Sequence, residues 1–208
     1  MIIAIDGPTA SGKGTIAKAI AEHFGLPHLD TGLLYRAVGV QTMRIGGDPD
    51  IEAEALRACT FGDTLLDDPV LRSEAAGGLA SRVSQHPKIR EALLERQRAF
   101  AEQPGGAVLD GRDIGTVIAP DADAKLFVTA SVEARANRRF TEMQARGEQV
   151  TLDDIAADLA ARDARDTRRA TAPLKAADDA LLLDTSDLTI DAAVQQAIAL
   201  VNGKTQDA

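Results

Sequence analysis

The segment Gly7-Pro-Thr-Ala-Ser-Gly12-Lys13-Gly14-Thr15 determines the fold prediction. It follows a short apolar run, Met1–Ile5, that is typical of a buried strand, and it opens a stretch with helical spacing, Lys13–Phe24. In that position the glycines let backbone N–H groups turn towards phosphate oxygens, and Lys13 adds a positive charge. The alternative is a glycine-rich turn with an exposed lysine, which the strand–loop–helix order disfavours. The segment therefore predicts a phosphate-binding loop.

Apolar runs and helical patterns alternate along the rest of the chain, which predicts an α/β fold with a five-stranded parallel sheet covered on both faces. The predicted strands are Met1–Ile5, Leu26–Leu29, Ala107–Leu109, Lys125–Thr129 and Ala180–Leu183. The predicted helices are Lys13–Phe24, Leu33–Met43, 51–59, 70–83, Pro87–Phe100, Val132–Gly147, Thr151–Arg169 and Ile190–Val201, and the pattern of Phe61–Pro69 is too weak to assign.

Polar residues follow four of the predicted strands, at Asp6-Gly7, Asp30-Thr31, Asp110-Gly111 and Asp184-Thr185. In parallel sheets, ligands bind beyond the carboxyl ends of the strands, so these positions are candidates for a site. The same residue types are common in any loop or helix cap, and loop composition alone does not separate the two interpretations.

The composition narrows the classes of function. The 208 residues carry 23 Lys+Arg against 32 Asp+Glu, a net charge of −9, and aromatic residues are only 3%. We therefore expect no nucleic acid polymer or anionic membrane as a partner. Cys59 is the single cysteine, and the chain has no long apolar run, so we expect a cytoplasmic protein without disulfides. Arginines outnumber lysines 17 to 6, which suits local recognition of small anions.

Further motifs extend the prediction beyond the phosphate loop. The form Gly12-Lys-Gly-Thr15 is similar to that of nucleoside monophosphate kinases. Together with Leu29-Asp-Thr-Gly-Leu-Leu-Tyr-Arg36, Pro87-Lys-Ile-Arg90, Asp110-Gly-Arg-Asp-Ile-Gly-Thr116 and Arg162-Asp-Ala-Arg-Asp-Thr-Arg-Arg169, the chain closely resembles the bacterial cytidylate kinases from Ile2 to about Leu200. The resemblance implies a P-loop kinase that transfers phosphate from ATP to CMP and dCMP.

The resemblance implies roles for individual residues. The ATP-binding set is Gly7, Pro8, Thr9, Ala10, Ser11, Gly12, Lys13, Gly14, Thr15 and Arg138, and the CMP-binding set is Thr31, Arg36, Ser81, Arg90, Asp110, Arg112, Asp113, Arg162, Asp166 and Arg169. The catalytic set is Lys13, Arg112, Arg162 and Arg169. Arg135 and Arg139 are expected at the surface instead.

Several of these assignments make chemical sense independently. Asp113 would accept a hydrogen bond from the cytosine amino group and Arg90 would donate to the ring, whereas uracil presents the opposite polarity. Arg162, Asp166 and Arg169 share one helical face, although a solvated helix with alternating charges is the general alternative. Ser81 is equally consistent with an ordinary helical serine.

Mg²⁺ is the expected cofactor, bound with ATP. Asp110 is a candidate carboxylate for a metal-bound water, with a capping or turn role as the alternative. Because Gly14 replaces the hydroxyl residue that usually ligates the metal, the sequence assigns no direct protein ligand.

The whole chain, 1–208, is predicted to be one kinase domain. It would include a shortened acceptor-binding insert over about 59–103 and an arginine-rich lid over about 147–170, which closes over the nucleotides. We expect a monomer. A kinase for UMP or AMP is the nearer alternative, and an ATP-binding regulatory module without phosphoryl transfer is the alternative from another class.

Overall fold

The computed structural model describes residues 1–206 and contains a five-stranded, all-parallel sheet. The strands are β1 (Ile2–Asp6), β2 (His28–Asp30), β3 (Ala107–Gly111), β4 (Ala124–Thr129) and β5 (Leu181–Asp184), in the spatial order β2-β3-β1-β4-β5. The predicted fold class is confirmed, and each predicted strand is found within two residues of its expected bounds at either end.

Helices cover both faces of the sheet, which explains why its central strands are mainly apolar. Ile3 and Ile5 point to one side, into a core shared with α1 (Lys13–Phe24) and α8 (Ile190–Gln206). Ala4 points to the other side, where the core includes residues of α5 (Pro87–Ala101). The remaining helices are α2 (Thr31–Arg44), α3 (Glu52–Leu56), α4 (Glu74–Val83), α6 (Val132–Ala145) and α7 (Leu152–Arg168).

The segment between β2 and β3 contains helices and turns but no strand. The unassigned stretch Phe61–Pro69 holds a 3₁₀ turn, Asp63–Asp67, and a second turn, Pro69–Arg72, begins at its end. Within residues 59–81 there is no strand. Helix α4 packs directly on α2, where a Cβ atom on Gly39 would lie 2.6 Å from the Cβ atom of Leu79. This close packing places α4 beside the carboxyl ends of β2 and β3.

Among the described residues 1–206, no helix is both long enough and apolar enough to cross a membrane.

Candidate active site

The phosphate loop adopts a strained, tightly packed conformation at the start of α1. Ala10 and Gly12 have φ angles of 62° and 88°, in the left-handed region. A Cβ atom on Gly7 would lie 2.0 Å from the carbonyl oxygen of Val128, so only glycine fits there. The Lys13 ammonium donates to the carbonyl oxygen of Pro8 at 3.4 Å. Burial, and next the nearby Arg112, lower the pKa of Lys13 from 10.5 to about 8. The loop thus holds a cation that an anionic ligand would stabilise.

A cavity of about 230 Å³ opens beside this loop at the carboxyl ends of the strands. Residues from the loop, β2, β3, α2, α4, α5, α6 and α7 line it. All ten residues of the predicted CMP-binding set are present, namely Thr31, Arg36, Ser81, Arg90, Asp110, Arg112, Asp113, Arg162, Asp166 and Arg169. Thr9, Ala10, Lys13 and Gly14 line it from the predicted ATP-binding set, whereas Gly7, Pro8, Ser11, Gly12, Thr15 and Arg138 lie outside it.

Arg90 and Asp113 form a buried ion pair in the cavity wall. Both side chains are 7% exposed, and the Arg90 guanidinium lies 5.4 Å from the ring centre of Tyr35. Arg169 approaches the same carboxylate, with 3.6 Å between Nη2 and Oδ1 of Asp113. Burial, and next the charge of Arg90, lower the pKa of Arg169. The cavity wall therefore offers one buried hydrogen-bond acceptor, the Asp113 carboxylate, beside the N–H donors of Arg90 and Arg169.

Arg112 connects the phosphate loop with α7. Its Nη2 donates to the Thr9 hydroxyl at 2.6 Å, and its Nε donates to Asp166 of α7 at 2.9 Å. A side chain in this position can contact groups held by the loop and groups held by α7.

Two more arginines enter the cavity over α4. Arg162 Nη1 would lie 3.1 Å from a Cβ atom on Gly77, and Arg36 Nη2 would lie 3.6 Å from the same atom. The glycine therefore lets both guanidinium groups lie close to the α4 backbone. Arg36 also donates to the Leu71 carbonyl at 2.8 Å, which orients it towards the cavity.

Asp30 and Asp110 place two carboxylates near Lys13, at adjacent positions in the β2–β3 register. Burial, and next the charge of Asp110, raise the pKa of Asp30. Asp110 Oδ2 faces the loop, 3.9 Å from where a Cβ atom of Gly14 would lie, and Asp110 Oδ1 hydrogen-bonds the His28 ring at 2.8 Å. Residues 1–206 hold no group of three metal-ligating side chains. This donor set fits Mg²⁺, which commonly takes one or two carboxylates and otherwise binds phosphates and water.

The expectation that Arg135 and Arg139 are surface residues was wrong. Arg135 is 3% exposed and donates to the Thr9 carbonyl at 3.1 Å and to Asp163 of α7 at 2.6 and 3.1 Å. Arg139 lines the cavity and pairs with Glu74. The two arginines share a helical face as their i, i+4 spacing requires, but that face packs against α7 and the loop.

Arg138 lies apart from the cavity and bonds the loop that follows β5. It donates to the Thr185 hydroxyl at 3.0 Å and to the Thr185 carbonyl. Thr185 in turn donates to the Ser11 carbonyl at 3.0 Å, so Arg138 reaches the phosphate loop through this residue.

Sequence reasoning missed Glu74 and Tyr35, which both line the cavity. Glu74 also approaches Arg162, at 3.6 Å between Nη2 and Oε2. Tyr35 lies in the motif Leu29–Arg36 and is the only tyrosine of the sequence, which could have marked it as a candidate site residue. Glu74 gave no such signal, because an acidic residue in the first turn of a helix, here α4, is common in any protein.

Comparisons with known proteins show which sequences and folds the chain is similar to. The family model described as cytidylate kinase matches residues 3–203. A cytidylate kinase of Rhodopseudomonas palustris (strain TIE-1) is 55% identical over 97% of this chain and 95% of its own. A cytidylate kinase of Cereibacter sphaeroides is 57% identical over 96% of this chain and 94% of its own. A solved gluconokinase from Sinorhizobium meliloti shares the fold, with a TM-score of 0.53 at 15% identity over 99% of this chain and 94% of its own.

Proposed function

The chain belongs to the cytidylate kinase family, and we propose that it transfers the γ-phosphoryl group of ATP to CMP and dCMP. The observation that carries the proposal is that the phosphate loop and the acceptor-side arginines line the same cavity, from opposite sides. A protein that only binds ATP has no use for the second set. The cytoplasm is the proposed location, as the family implies.

The chemistry needs alignment and charge neutralisation more than a general base. The nucleophile is a CMP phosphate oxygen, largely ionised at neutral pH because the second phosphate pKa is about 6. It forms a bond to the γ-phosphorus as the bond to the β–γ bridging oxygen breaks, giving CDP and ADP. Lys13 and the loop amides hold the donor phosphates, and Arg112, Arg162 and Arg169 neutralise charge around the transferred group.

Mg²⁺ is the proposed cofactor and would neutralise charge on the donor phosphates when bound. Asp30 and Asp110 are the side chains that would hold it, directly or through water, because they are the carboxylates beside Lys13.

Acceptor selection is assigned to the buried Arg90–Asp113 pair. Asp113 accepts from the amino group of cytosine and Arg90 donates to N3 or O2. Uracil has a carbonyl oxygen and an N–H at the corresponding positions, so it would leave buried groups unpaired, at about 1–3 kcal/mol for each. The Arg90–Asp113 pair therefore favours CMP over UMP or AMP as the acceptor.

One coupled assay tests the proposal. ADP release is followed with ATP and, in turn, CMP, dCMP, UMP and AMP. Turnover with CMP and dCMP at a kcat/KM at least about tenfold above that for UMP supports the proposal. Turnover with only UMP or AMP favours a different acceptor, and ATP binding without turnover favours a regulatory module. Gel filtration of the same preparation tests the proposed monomer.

A further inference from the structure

Asp6, the last residue of β1, is buried beneath the loop that carries Asp113, the carboxylate of the base-reading pair, yet it does not line the cavity. Its two carboxylate oxygens accept separate backbone hydrogen bonds, Oδ1 from the Ile114 N–H and Oδ2 from the Gly115 N–H, both at 2.8 Å. Neither the charge pattern of the sequence nor its family motifs predicted that Asp6 would accept these two backbone hydrogen bonds.

The two bonds lie immediately after Arg112 and Asp113. Ile114 begins a single π-helical turn, Ile114–Ile118, whose first N–H groups have no partner within the turn. Single π-helical turns are uncommon and often occur at functional sites. Asp6 satisfies the first two of these donors, and thereby fixes the backbone on which the Asp113 side chain is mounted.

The surroundings leave this arrangement little freedom. Asp6 is 4% exposed, and its strand neighbours are Gly111 of β3 and Phe127 of β4. A Cβ atom on Gly115 would lie 3.1 Å from the side chain of Lys125 and 3.5 Å from Asp6 Oδ2. A shift of the turn is therefore blocked by the buried Lys125 stem on one side and by the carboxylate on the other.

Asp6 also adjoins the phosphate loop, since Gly7 is the next residue. One side chain thus sits at the junction between the donor-binding loop and the acceptor-reading loop. The loop itself is held by other contacts, including the close approach of Gly7 to Val128. Removing the carboxylate should therefore disturb the acceptor side far more than the ATP side.

From this geometry we propose that Asp6 is a positioning residue for the acceptor base, which holds residues 114–115 so that Asp113 faces Arg90 and the incoming base. The proposal deepens the function proposed above and rests on it. It predicts an effect on acceptor recognition and on discrimination between bases, without direct contact between Asp6 and substrate.

The test compares Asp6→Asn with Asp123→Asn. Asp123 is a matched control because its carboxylate accepts the Ile2 N–H at 2.6 Å, at the opposite end of the same strand and away from the cavity. An asparagine at position 6 has one acceptor oxygen, and its NH₂ group opposes the second N–H. We expect the KM for CMP to rise about tenfold and the CMP-to-UMP ratio of kcat/KM to fall about tenfold, with the KM for ATP changed less than threefold.

A loss of thermal stability with an unchanged CMP-to-UMP ratio and unchanged KM for CMP would overturn the proposal, because it would make Asp6 a structural cap only. If Asp6→Asn does not fold, Gly115→Ala replaces it: the added methyl crowds the turn and should shift the same two quantities in the same direction. A wild-type protein without CMP turnover would instead contradict the proposed function, and CMP binding by calorimetry would then test Asp6 alone.

Discussion

Lys13 is a partly buried cation whose pKa is lowered in the folded protein. The side chain is only partly exposed, and its pKa falls to about 8 because burial and Arg112 disfavour the charged form. In the folded protein without ATP, Lys13 therefore binds fewer protons than in the unfolded chain between pH 8 and 10.5. Its contribution to the free energy of unfolding accordingly rises with pH across that window.

This shift predicts a pH dependence of ATP binding. We expect the Kd for ATP, measured by calorimetry, to increase above pH 8, approaching tenfold per pH unit, because a neutral amine must first gain a proton. The Lys13→Met variant should bind more weakly and show no such rise. An ATP affinity of the wild type that stays constant from pH 7 to 9.5 would contradict this account of Lys13.

A second prediction concerns the contribution of Arg112 to turnover. Arg112→Ala should lower kcat/KM for CMP by about 10²- to 10³-fold, because it removes a preorganised charge between the loop and α7. The variant should still fold, as its circular dichroism should show, but its melting temperature should fall because the buried Asp166 loses this hydrogen bond. Arg98→Ala is the matched control, as Arg98 is an exposed arginine that bonds a backbone carbonyl, that of Val117. Wild-type turnover by Arg112→Ala would refute its assignment to the phosphates.

At the scale of elements, α6 and α7 are joined to the phosphate loop through one buried arginine. Arg135 bonds the Thr9 carbonyl of the loop, Asp163 of α7 and, at 2.9 Å, the Ala130 carbonyl after β4. Helix α7 is thus tied by this side chain to the phosphate loop. The position of α7 should respond to what that loop binds.

The link predicts a specific loss of stability. Arg135→Met should lower the free energy of unfolding by about 3 kcal/mol in urea denaturation, because it leaves Asp163 and two carbonyl groups without their partner. Arg146→Met, at an exposed position at the end of α6, should change it by less than about 0.5 kcal/mol. A similar small change in both variants would show that Arg135 does not join these elements.

The sequence predicted the strands and the phosphate loop well because apolar runs and glycine spacing are local signals. The predictions were wrong or missing where packing between distant parts of the chain determines the structure. The spacing of Arg135 and Arg139 places them on one face, but cannot say that this face meets α7 instead of water. The π-helical turn Ile114–Ile118 depends on Asp6, more than a hundred residues away in the chain. Residues 61–69 formed 3₁₀ turns, which have no strong sequence period.

At the scale of the whole molecule, the acidic chain concentrates its positive charge at one place. The cavity is lined by seven basic side chains against five acidic ones, whereas the full chain has a net charge of −9. This distribution favours a small anion in the cleft. The excess of arginine over lysine predicted local recognition of small anions, and the fold shows which arginines come together.

The cavity also sets a condition on the reaction. Its volume of about 230 Å³ is below the roughly 300–1,000 Å³ typical of sites for single small molecules. We infer that CMP together with the γ-phosphate of ATP needs more room than this, and that α4 and α7 separate to admit them, which would break the approach of Glu74 to Arg162. We expect opening and closing of the lid to accompany each turnover, and closure to exclude water from the transferred group.

Product analysis shows whether the phosphoryl group passes directly from ATP to CMP without reaching water. ATP and CMP are incubated with the protein and Mg²⁺, and ADP, CDP and free phosphate are quantified by chromatography, with Lys13→Met as the control. We expect ADP and CDP in equal amounts with almost no free phosphate, and neither product from the control. ADP formed with free phosphate and without CDP would contradict direct transfer.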